Sequence, residues 1–583
     1  MIKITIDDKK CTVPDGITII EAARQNGIHI PALGYDPRLS PPSGAELSTV
    51  ELLDGDNVRF VSATSTKVAP GMKIRTESPA LESFRKIYLQ SLLRNHYGDC
   101  VAPCVQRCPA NVDIQRYLYH VAAGNFTEAL AVIKENNPLP SICGRICPHP
   151  CETECRRNAV DGAVNINAVK RFVADWDSYQ LLPYKPACAP DTGKRVAVIG
   201  SGPAGLSAAY FLRRMGHDVT IFEMRSAAGG MLRWGVPRYR LPDEVLNAEI
   251  ESILDLGVKI QYHKKLGRDF TLDSLRASGF DAVFLAIGAQ GSSRLNIEGE
   301  DLPGVMAGID LLTMVTLRRQ PRLGDRVVVI GGGNTAIDAA RTAIRLGCRS
   351  VTILYRRTRS EMPALDTEVE EAIEEGVQFE FLAAPTAIRP GPQGLELHCV
   401  RMELGDLDAS GRRRPVPIPG SEFVLPCSTI LSAIGHTVED DGLPAELART
   451  SRGTIQVDPL TMQTSLPGVF AGGDCQTGPD IAVAAIGAGR RAAIAIDEFL
   501  RTGKVTPQLP AYTCSKGRWD EVPKEEFRNV RPSPRNPIPV VPAEERKVNF
   551  MEVSETWDVA TAMREASRCL QCGCTERYDC QVR

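Results

Sequence analysis

Eighteen cysteines are the residues of this chain best placed to do chemistry, and they are unevenly spread. Cys100, Cys104, Cys108, Cys143, Cys147, Cys151 and Cys155 form one dense region, and Cys569, Cys572, Cys574 and Cys580 fall in the last fifteen residues. Cys11, Cys188, Cys348, Cys399, Cys427, Cys475 and Cys514 stand alone. Thiolates repeated at such short intervals hold zinc or iron–sulfur clusters. A disulfide framework belongs to short exported chains, whereas this one has 583 residues and opens on an alternating, strand-like segment in place of a signal peptide.

Glycine carries the second chemistry. Gly200, Gly202 and Gly205 spell G-x-G-x-x-G, with Pro203 and Ala204 between them, after an apolar strand and before a helix. The first glycine permits a tight turn, the second lets backbone approach a pyrophosphate, and the third lets helix pack on strand. The following strand ends at Glu223, where a carboxylate would accept from ribose hydroxyls. The stretch 195–205 aligns without a gap on 326–336, so Gly331, Gly333 and Ala336, with Asn334 and Thr335, make a second unit. There the strand ends in Tyr355, followed by Arg356, Arg357 and Arg359. Losing the acid removes repulsion toward a 2′-phosphate, and arginines pair with phosphate bidentately, so NADP is expected over NAD. A solvated basic turn is the plainer alternative.

These motifs need particular elements to hold them. From residue 194 to about 503 strand and helix patterns alternate, which predicts parallel sheets in a multidomain α/β protein. Ala286-Ile287-Gly288 and Ala433-Ile434-Gly435 each end an apolar strand, closing one unit apiece. Gly472-Gly473-Asp474 precedes a helix starting near Ile481; Asp474 could hold ribityl hydroxyls while the helix N-terminus faces a flavin. Gly230 and Gly288 complete the expected cofactor surface. The cysteine runs flank a helical stretch at 113–134, interrupted near Gly124, and the proline-rich piece 506–542 reads as an extended strap. An amphipathic stretch, 556–566, leads into the last cysteines.

Residues 98–503 resemble the small subunit of bacterial glutamate synthase, through Gly229-Gly-Met231, Gly235-Val-Pro-Arg-Tyr-Arg-Leu-Pro242, Leu354-Tyr-Arg-Arg357 and Glu361-Met-Pro363. Similar modules occur in dihydropyrimidine dehydrogenase and in the large subunit of NADH-dependent ferredoxin:NADP oxidoreductase. The resemblance implies FAD on the first unit, NADPH on the second and two [4Fe–4S] clusters in the cysteine runs. By positional match Cys100, Cys104 and Cys155 would share one cluster, and Cys108, Cys147 and Cys151 the other. Eight ligands are wanted and seven cysteines are present; some relatives use Gln or Glu where this chain has Lys170, so Cys143, His96 or Asp99 are candidates for a gap. The last four cysteines resemble tails in relatives attached to formate dehydrogenases and hydrogenases, which implies a third cubane in preference to zinc. Residues 30–39 resemble the [2Fe–2S] ferredoxin-like domain of the large iron–sulfur subunit of respiratory complex I. That family's cysteines fall where this chain has Gly34, near Glu46 and Thr49, and near Thr64, so a β-grasp fold without its cluster is expected.

The expected division is therefore a ferredoxin-like domain (1–80), a helical iron–sulfur domain (81–190), an FAD-binding domain (191–325 with 455–505), an NADP(H)-binding domain (326–454), and a strap with terminal cysteines (506–583). A formal charge of −3 gives no footprint for nucleic acid. No stretch approaches the roughly 20 apolar residues of a membrane span, so a cytoplasmic protein is expected. A redox-active C-x-x-C is absent from both dinucleotide units, which argues against a disulfide reductase. The leading expectation is an NADPH-dependent flavin and iron–sulfur subunit that serves a larger catalytic or electron-accepting partner. The alternative is an electron-wiring or assembly subunit with vestigial nucleotide sites. The terminal cysteines, on a tail beyond the strap, are the expected contact with the partner.

Overall fold

The computed structural model describes residues 1–33, 35–36, 46–392, 394–408, 411–439, 442–507 and 513–574. The chain forms two compact units, Met1–Gly98 and Asp99–Arg583.

In the first unit the alternation of Ile2–Ile6 puts Ile4 and Ile6 into a core with Cys11 and Val13 of the antiparallel neighbour Lys9–Val13. Helix Ile19–Gln25 covers that face, started by a capping box in which Thr18 and Glu21 exchange hydrogen bonds. Lys73–Arg75 pairs parallel with Ile2–Ile6 and antiparallel with Thr49–Asp54, completing a five-stranded β-grasp sheet edged by Asn57–Ser62. Helix Pro79–Asn95 belongs to this unit: Ser78 caps it, Leu81 is fully buried, and Arg85 donates to the carbonyls of Leu47 and Thr49.

The second unit starts with short helices. Ile114–Ala122 and Phe126–Lys134 are separated at Gly124, whose φ of +78° suits glycine. Ile166–Ser178 packs against both and against Pro140–Ile146.

Two parallel five-stranded sheets follow. The first runs, in spatial order, Val469–Ala471, Ala282–Leu285, Arg195–Ile199, Asp218–Phe222, Lys259–Gln261. The second runs Val305–Ala307, Thr429–Ser432, Arg326–Ile330, Ser350–Tyr355, Gln378–Phe381. The first sheet thus regains a strand after the second is complete, and the second takes its edge from Val305–Ala307, upstream of the fingerprint. A three-stranded antiparallel sheet, Ala383–Gly391, Gly394–Leu407 and Arg413–Cys427, extends from the second. Beyond helix Ala482–Thr502 the chain is mostly extended until helix Val559–Ala566, whose Ala562 and Ala566 join the core of the helical region together with Trp557. Among the described residues no helix is long and apolar enough to cross a membrane.

Candidate dinucleotide cleft and cysteine sites

Each fingerprint lies between the strand and helix its spacing predicts. Gly202 caps helix Pro203–Arg214, and Gly333 caps helix Asn334–Arg345. In the first unit a Cβ on Gly200 would lie 2.4 Å from the Ala286 carbonyl oxygen, and one on Gly205 would lie 2.0 Å from that of Gly200. Gly202 and Gly230 face each other so closely that a Cβ on Gly230 would meet the Gly202 Cα at 2.8 Å. Side chains there would fill a cradle that backbone now leaves open.

A single cleft collects Gly200, Gly202, Pro203, Ala204, Glu223, Gly230, Gly288, Asp474 and Ile481 from the first unit with Asn334 and Thr335 from the second. Gly205, Gly473, Gly331, Gly333, Arg356 and Arg357 do not line it; Gly473 lies behind the wall, where a Cβ would approach that of Ala204 to 2.8 Å. Glu223 is buried, and its carboxylate accepts from the Ser201 N–H at 3.1 Å, the Ser201 hydroxyl, and the Arg225 N–H at 2.8 Å. The cleft-lining Trp234 holds a buried indole N–H with no partner among the described residues. Burial, reinforced by Asp480, pushes the Asp474 carboxyl up to about 6. An apolar trough with an acid at one end, an unpaired donor and a glycine cradle fits a flavin dinucleotide. No cysteine lines it among the described residues, and the Cys475 thiol is buried, donating to the carbonyls of Leu285 and Gly472.

The two units are joined by buried charge. Arg240 pairs with Asp338 at 2.7 Å and with Glu368. Arg341 and Arg345 pair with Glu375, at 2.6 and 2.5 Å, and Arg546 of the strap reaches Glu375 at 2.9 Å. Burial opposes ionisation of Glu375, yet the hydrogen bonds from Arg345 and Arg341 hold it at about 2. Sequence reasoning missed this network. The two arginines i, i+4 on one helix are visible in the sequence, but their acidic partner 30 residues on is not.

In the second unit the arginines separate. Arg356 is exposed and makes no ion pair among the described residues. Arg357 is buried: its Nε donates to the Arg413 carbonyl at 2.7 Å and its Nη2 to Asp408 at 2.5 Å. Arg359 faces Asp366 and Glu370.

The cysteines form groups that differ from the expected ones. Cys104 and Cys155 line one small pocket, and the other two cysteines there are Cys569 and Cys572 from the far end of the chain. Apolar side chains including Leu118, Val164 and Ile166 make its walls. Cys100 instead meets Cys514: its N–H donates to the Cys514 carbonyl at 3.1 Å, and the Cys514 N–H donates to the Cys100 sulfur at 3.3 Å. Asp99 bridges Gly573 in parallel and its carbonyl accepts from the Cys574 N–H, so Cys574 also comes alongside Cys100. Cys580 lies outside the described residues. Among the described terminal cysteines, Cys569 and Cys572 thus line a pocket with Cys104 and Cys155, while Cys574 lies alongside Cys100.

Cys108, Cys143, Cys147 and Cys151 surround the buried Lys170, whose charge acts on all four thiols. The Cys143 sulfur lies 4.0 Å from the Asn137 Oδ1. Asp99 is buried in a bidentate pair with Arg156, at 2.8 Å to each oxygen. His96 belongs to the first compact unit. Burial pushes the thiols of Cys143 and Cys572 up to about 12 and that of Cys569 up to about 11. Bound iron or zinc would hold such groups as thiolates. Among the described residues no three His, Cys, Asp or Glu side chains converge on a position for one metal ion.

In the first compact unit hydroxyls of Ser48, Ser62 and Thr64 lie at or near two of the expected cluster positions. Ser62 and Thr64 are 2.9 Å apart, and Ser48 lies 3.3 Å from Ser62. Gly34 lies outside the described residues, as does the side chain of Glu46. Cys11, the one cysteine in residues 1–98, is buried with its thiol donating to the Lys9 carbonyl. These residues do not fit a [2Fe–2S] centre.

Residues 194–489 match the pyridine nucleotide-disulphide oxidoreductase family, residues 97–181 the 4Fe-4S cluster domain II of dihydropyrimidine dehydrogenase, and residues 1–79 a 2Fe-2S iron-sulfur cluster binding domain. The chain is 44% identical over 500 residues to the beta subunit of an NADP(+)-dependent formate dehydrogenase from Moorella thermoacetica, covering 81% of this chain and 70% of that one. It is 41% identical over 516 residues to the beta subunit of an NADPH-Fe(3+) oxidoreductase from Geobacter sulfurreducens, covering 81% and 75%. It is 36% identical over 425 residues to the small chain of NADPH glutamate synthase from Escherichia coli, covering 68% and 88%.

Proposed function

The chain belongs to the pyridine nucleotide-disulphide oxidoreductase family, and from that premise we propose that it is the NADPH-oxidising or NADP-reducing subunit of a redox complex. It would exchange electrons with a catalytic partner through iron–sulfur clusters. Bound FAD would exchange a hydride with the nicotinamide and pass its electrons singly to iron–sulfur centres. FAD would occupy the unit built on 191–325 with 455–505 and NADP(H) the unit built on 326–454, to which Val305–Ala307 adds an edge strand; the cysteines of the helical region would supply ligands to two cubanes.

The observation that carries this reading is the company of Cys147. Its neighbours Ile146 and Pro148 line the same cleft as Gly200, Ile481, Asn334 and Thr335. Cys108-Pro109 also docks on the long helix that starts beside that cleft, where a Cβ on Gly487 would meet the Pro109 carbonyl oxygen at 2.3 Å. The cluster ligands Cys108, Cys143, Cys147 and Cys151 therefore stand nearest the flavin site, with Lys170 offsetting their negative charge. Tyr117, whose hydroxyl donates to the Ile166 carbonyl, lies near Cys151, Cys108 and Cys104, which supports an electron path from this group to the second.

The residues of the cleft have separable tasks. Glu223 would exchange its bonds to Ser201 for ribose hydroxyls, Asp474 would hold the ribityl chain, and the Asn334 helix N-terminus would receive the NADPH pyrophosphate. Arg356 would pair with the 2′-phosphate while Arg357 fixes the backbone that presents it. Three relatives named as subunits support a partner for this chain. The test is anaerobic titration of the purified protein with NADPH. The flavin absorbance should bleach and reduced [4Fe–4S] signals should follow in electron paramagnetic resonance; a flavin that stays oxidised would favour the vestigial wiring subunit.

A further inference from the structure

We propose that one [4Fe–4S] centre is assembled from both ends of the second compact unit, with Cys104 and Cys155 of the helical region and Cys569 and Cys572 of the terminal segment as its four ligands. This rests on the reading of the cysteine runs as iron–sulfur ligands and departs from the family pattern, which gives Cys100 to that cluster.

The four sulfurs line one pocket with apolar walls, the setting in which four thiolates and a cubane core balance one another. Cys100 is absent from that pocket and is turned to Cys514. The terminal segment is held there by its own bonds. Arg568, almost wholly buried, donates to the carbonyls of Ala163, Gly162 and Ser533 and pairs with Glu565 at 2.6 Å and Asp161 at 3.1 Å. Its own carbonyl accepts from Arg157 Nη1 at 3.0 Å, tying the residue before Cys569 to the residue two after Cys155.

Gln115 reads the loop between the tail cysteines: its Oε1 accepts from the Gly573 N–H at 2.7 Å and its Nε2 donates to the Gly573 carbonyl at 3.1 Å. Gln571, between the two pocket-lining cysteines Cys569 and Cys572, adopts a left-handed φ of +52°, and its side chain donates to the Cys569 sulfur at 3.5 Å. A Cβ on Gly573 would lie 2.6 Å from the Ala102 nitrogen, so the loop approaches the segment before Cys104 as closely as glycine allows. No other ligand is needed to close the set of four.

The experiment uses full-length protein purified anaerobically, with iron, sulfide and zinc measured per chain and reduced samples examined by electron paramagnetic resonance. The pair Cys104→Ser/Cys155→Ser should lose about four iron, the pair Cys569→Ser/Cys572→Ser the same about four, and the quadruple variant no more than either pair. The same cubane signal should vanish in all three. Additive losses, about eight iron in the quadruple variant, would mean two separate clusters and overturn the shared centre while leaving the iron–sulfur reading intact. Zinc lost from the tail pair would also overturn it. Absence of iron from the wild-type protein would sink the underlying reading instead. Should the variants fail to retain flavin, alkylation of wild-type protein during slow iron chelation decides the matter. Cys104, Cys155, Cys569 and Cys572 should become reactive with one common rate, and two distinct rates for the two pairs would refute the proposal.

Discussion

The two glycine units are one design used twice, and they differ at a pair of positions that change together. In the first, Ser201 sits in the turn and its N–H and hydroxyl hold Glu223 at the end of the next strand. In the second, Gly332 takes the place of Ser201 and Tyr355 that of Glu223. A Cβ on Gly332 would lie 2.4 Å from the Tyr355 ring, so the ring closes over the turn only because glycine is there. The Tyr355 hydroxyl then donates to the Glu361 carbonyl at 2.8 Å, shaping the loop after Arg356 and Arg357. On the proposed function, nucleotide choice would depend on both positions at once, since a side chain at Gly332 would clash with the Tyr355 ring.

The third fingerprint position gives the largest expected effect. Gly205 admits no Cβ without moving its helix off Gly200, whereas the matching residue in the second unit is Ala336, already fully buried. Gly205→Ala should cost about 3 kcal/mol and yield protein without flavin, read by thermal melting and the absorption spectrum. A variant that keeps full flavin would remove the distinction drawn between the units.

Arg357 and Arg356 come next, because adjacency in sequence hides different work. Arg357→Ala should lower unfolding free energy by about 1–2 kcal/mol, since it removes the charged partner of Asp408 and a donor to the Arg413 carbonyl. Arg356→Ala should leave the melting temperature unchanged and reduce the preference for NADPH over NADH about tenfold, close to 1.4 kcal/mol. Parallel steady-state measurements with both nucleotides check this, and equal loss of preference in both variants would mean that both arginines bind phosphate.

A pH experiment sharpens the flavin side. The Asp474 carboxyl titrates near 6 when folded, above its ordinary 3.8. The folded state therefore binds more protons than the unfolded chain between those values. Asp474 thus favours folding of the flavin-free protein at the acid end of that window and loses that contribution as pH rises through about 6. If the ionised carboxylate is what accepts ribityl hydroxyls, flavin affinity should fall several-fold from pH 7 to pH 5, and Asp474→Asn should flatten the profile. The smallest effect belongs to Ala336→Gly, about 0.5–1 kcal/mol from helix entropy with both nucleotides still bound.

Much of this was legible in the sequence, for a physical reason. A phosphate-binding turn is local, so Gly200 to Glu223 and Gly331 to Arg356 carry it within a few dozen residues. The strands of the first compact unit are local too, as the alternation of Ile2–Ile6 shows, but their β-grasp arrangement was expected only through the family resemblance of residues 30–39. What was not legible depended on distant partners. The family resemblance groups Cys100 with Cys104, yet Cys514, isolated among prolines, comes to rest on Cys100 from 414 residues away. The third arginine on the Glu375 carboxylate, Arg546, is 171 residues downstream, beyond any periodicity.

The packing of Trp557, Ala562 and Ala566 among residues 102–173 has a consequence for how the protein is made. During synthesis the helical region emerges from the ribosome early, but its core stays incomplete until residue 566 follows, and the pocket of Cys104 and Cys155 stays open until Cys569 and Cys572 arrive. If those four cysteines share one centre, iron and sulfide would go in after nearly the whole chain has been translated, with the terminal segment closing over them. A message cut short within that segment would yield a chain that folds its dinucleotide sheets and stays colourless at one centre.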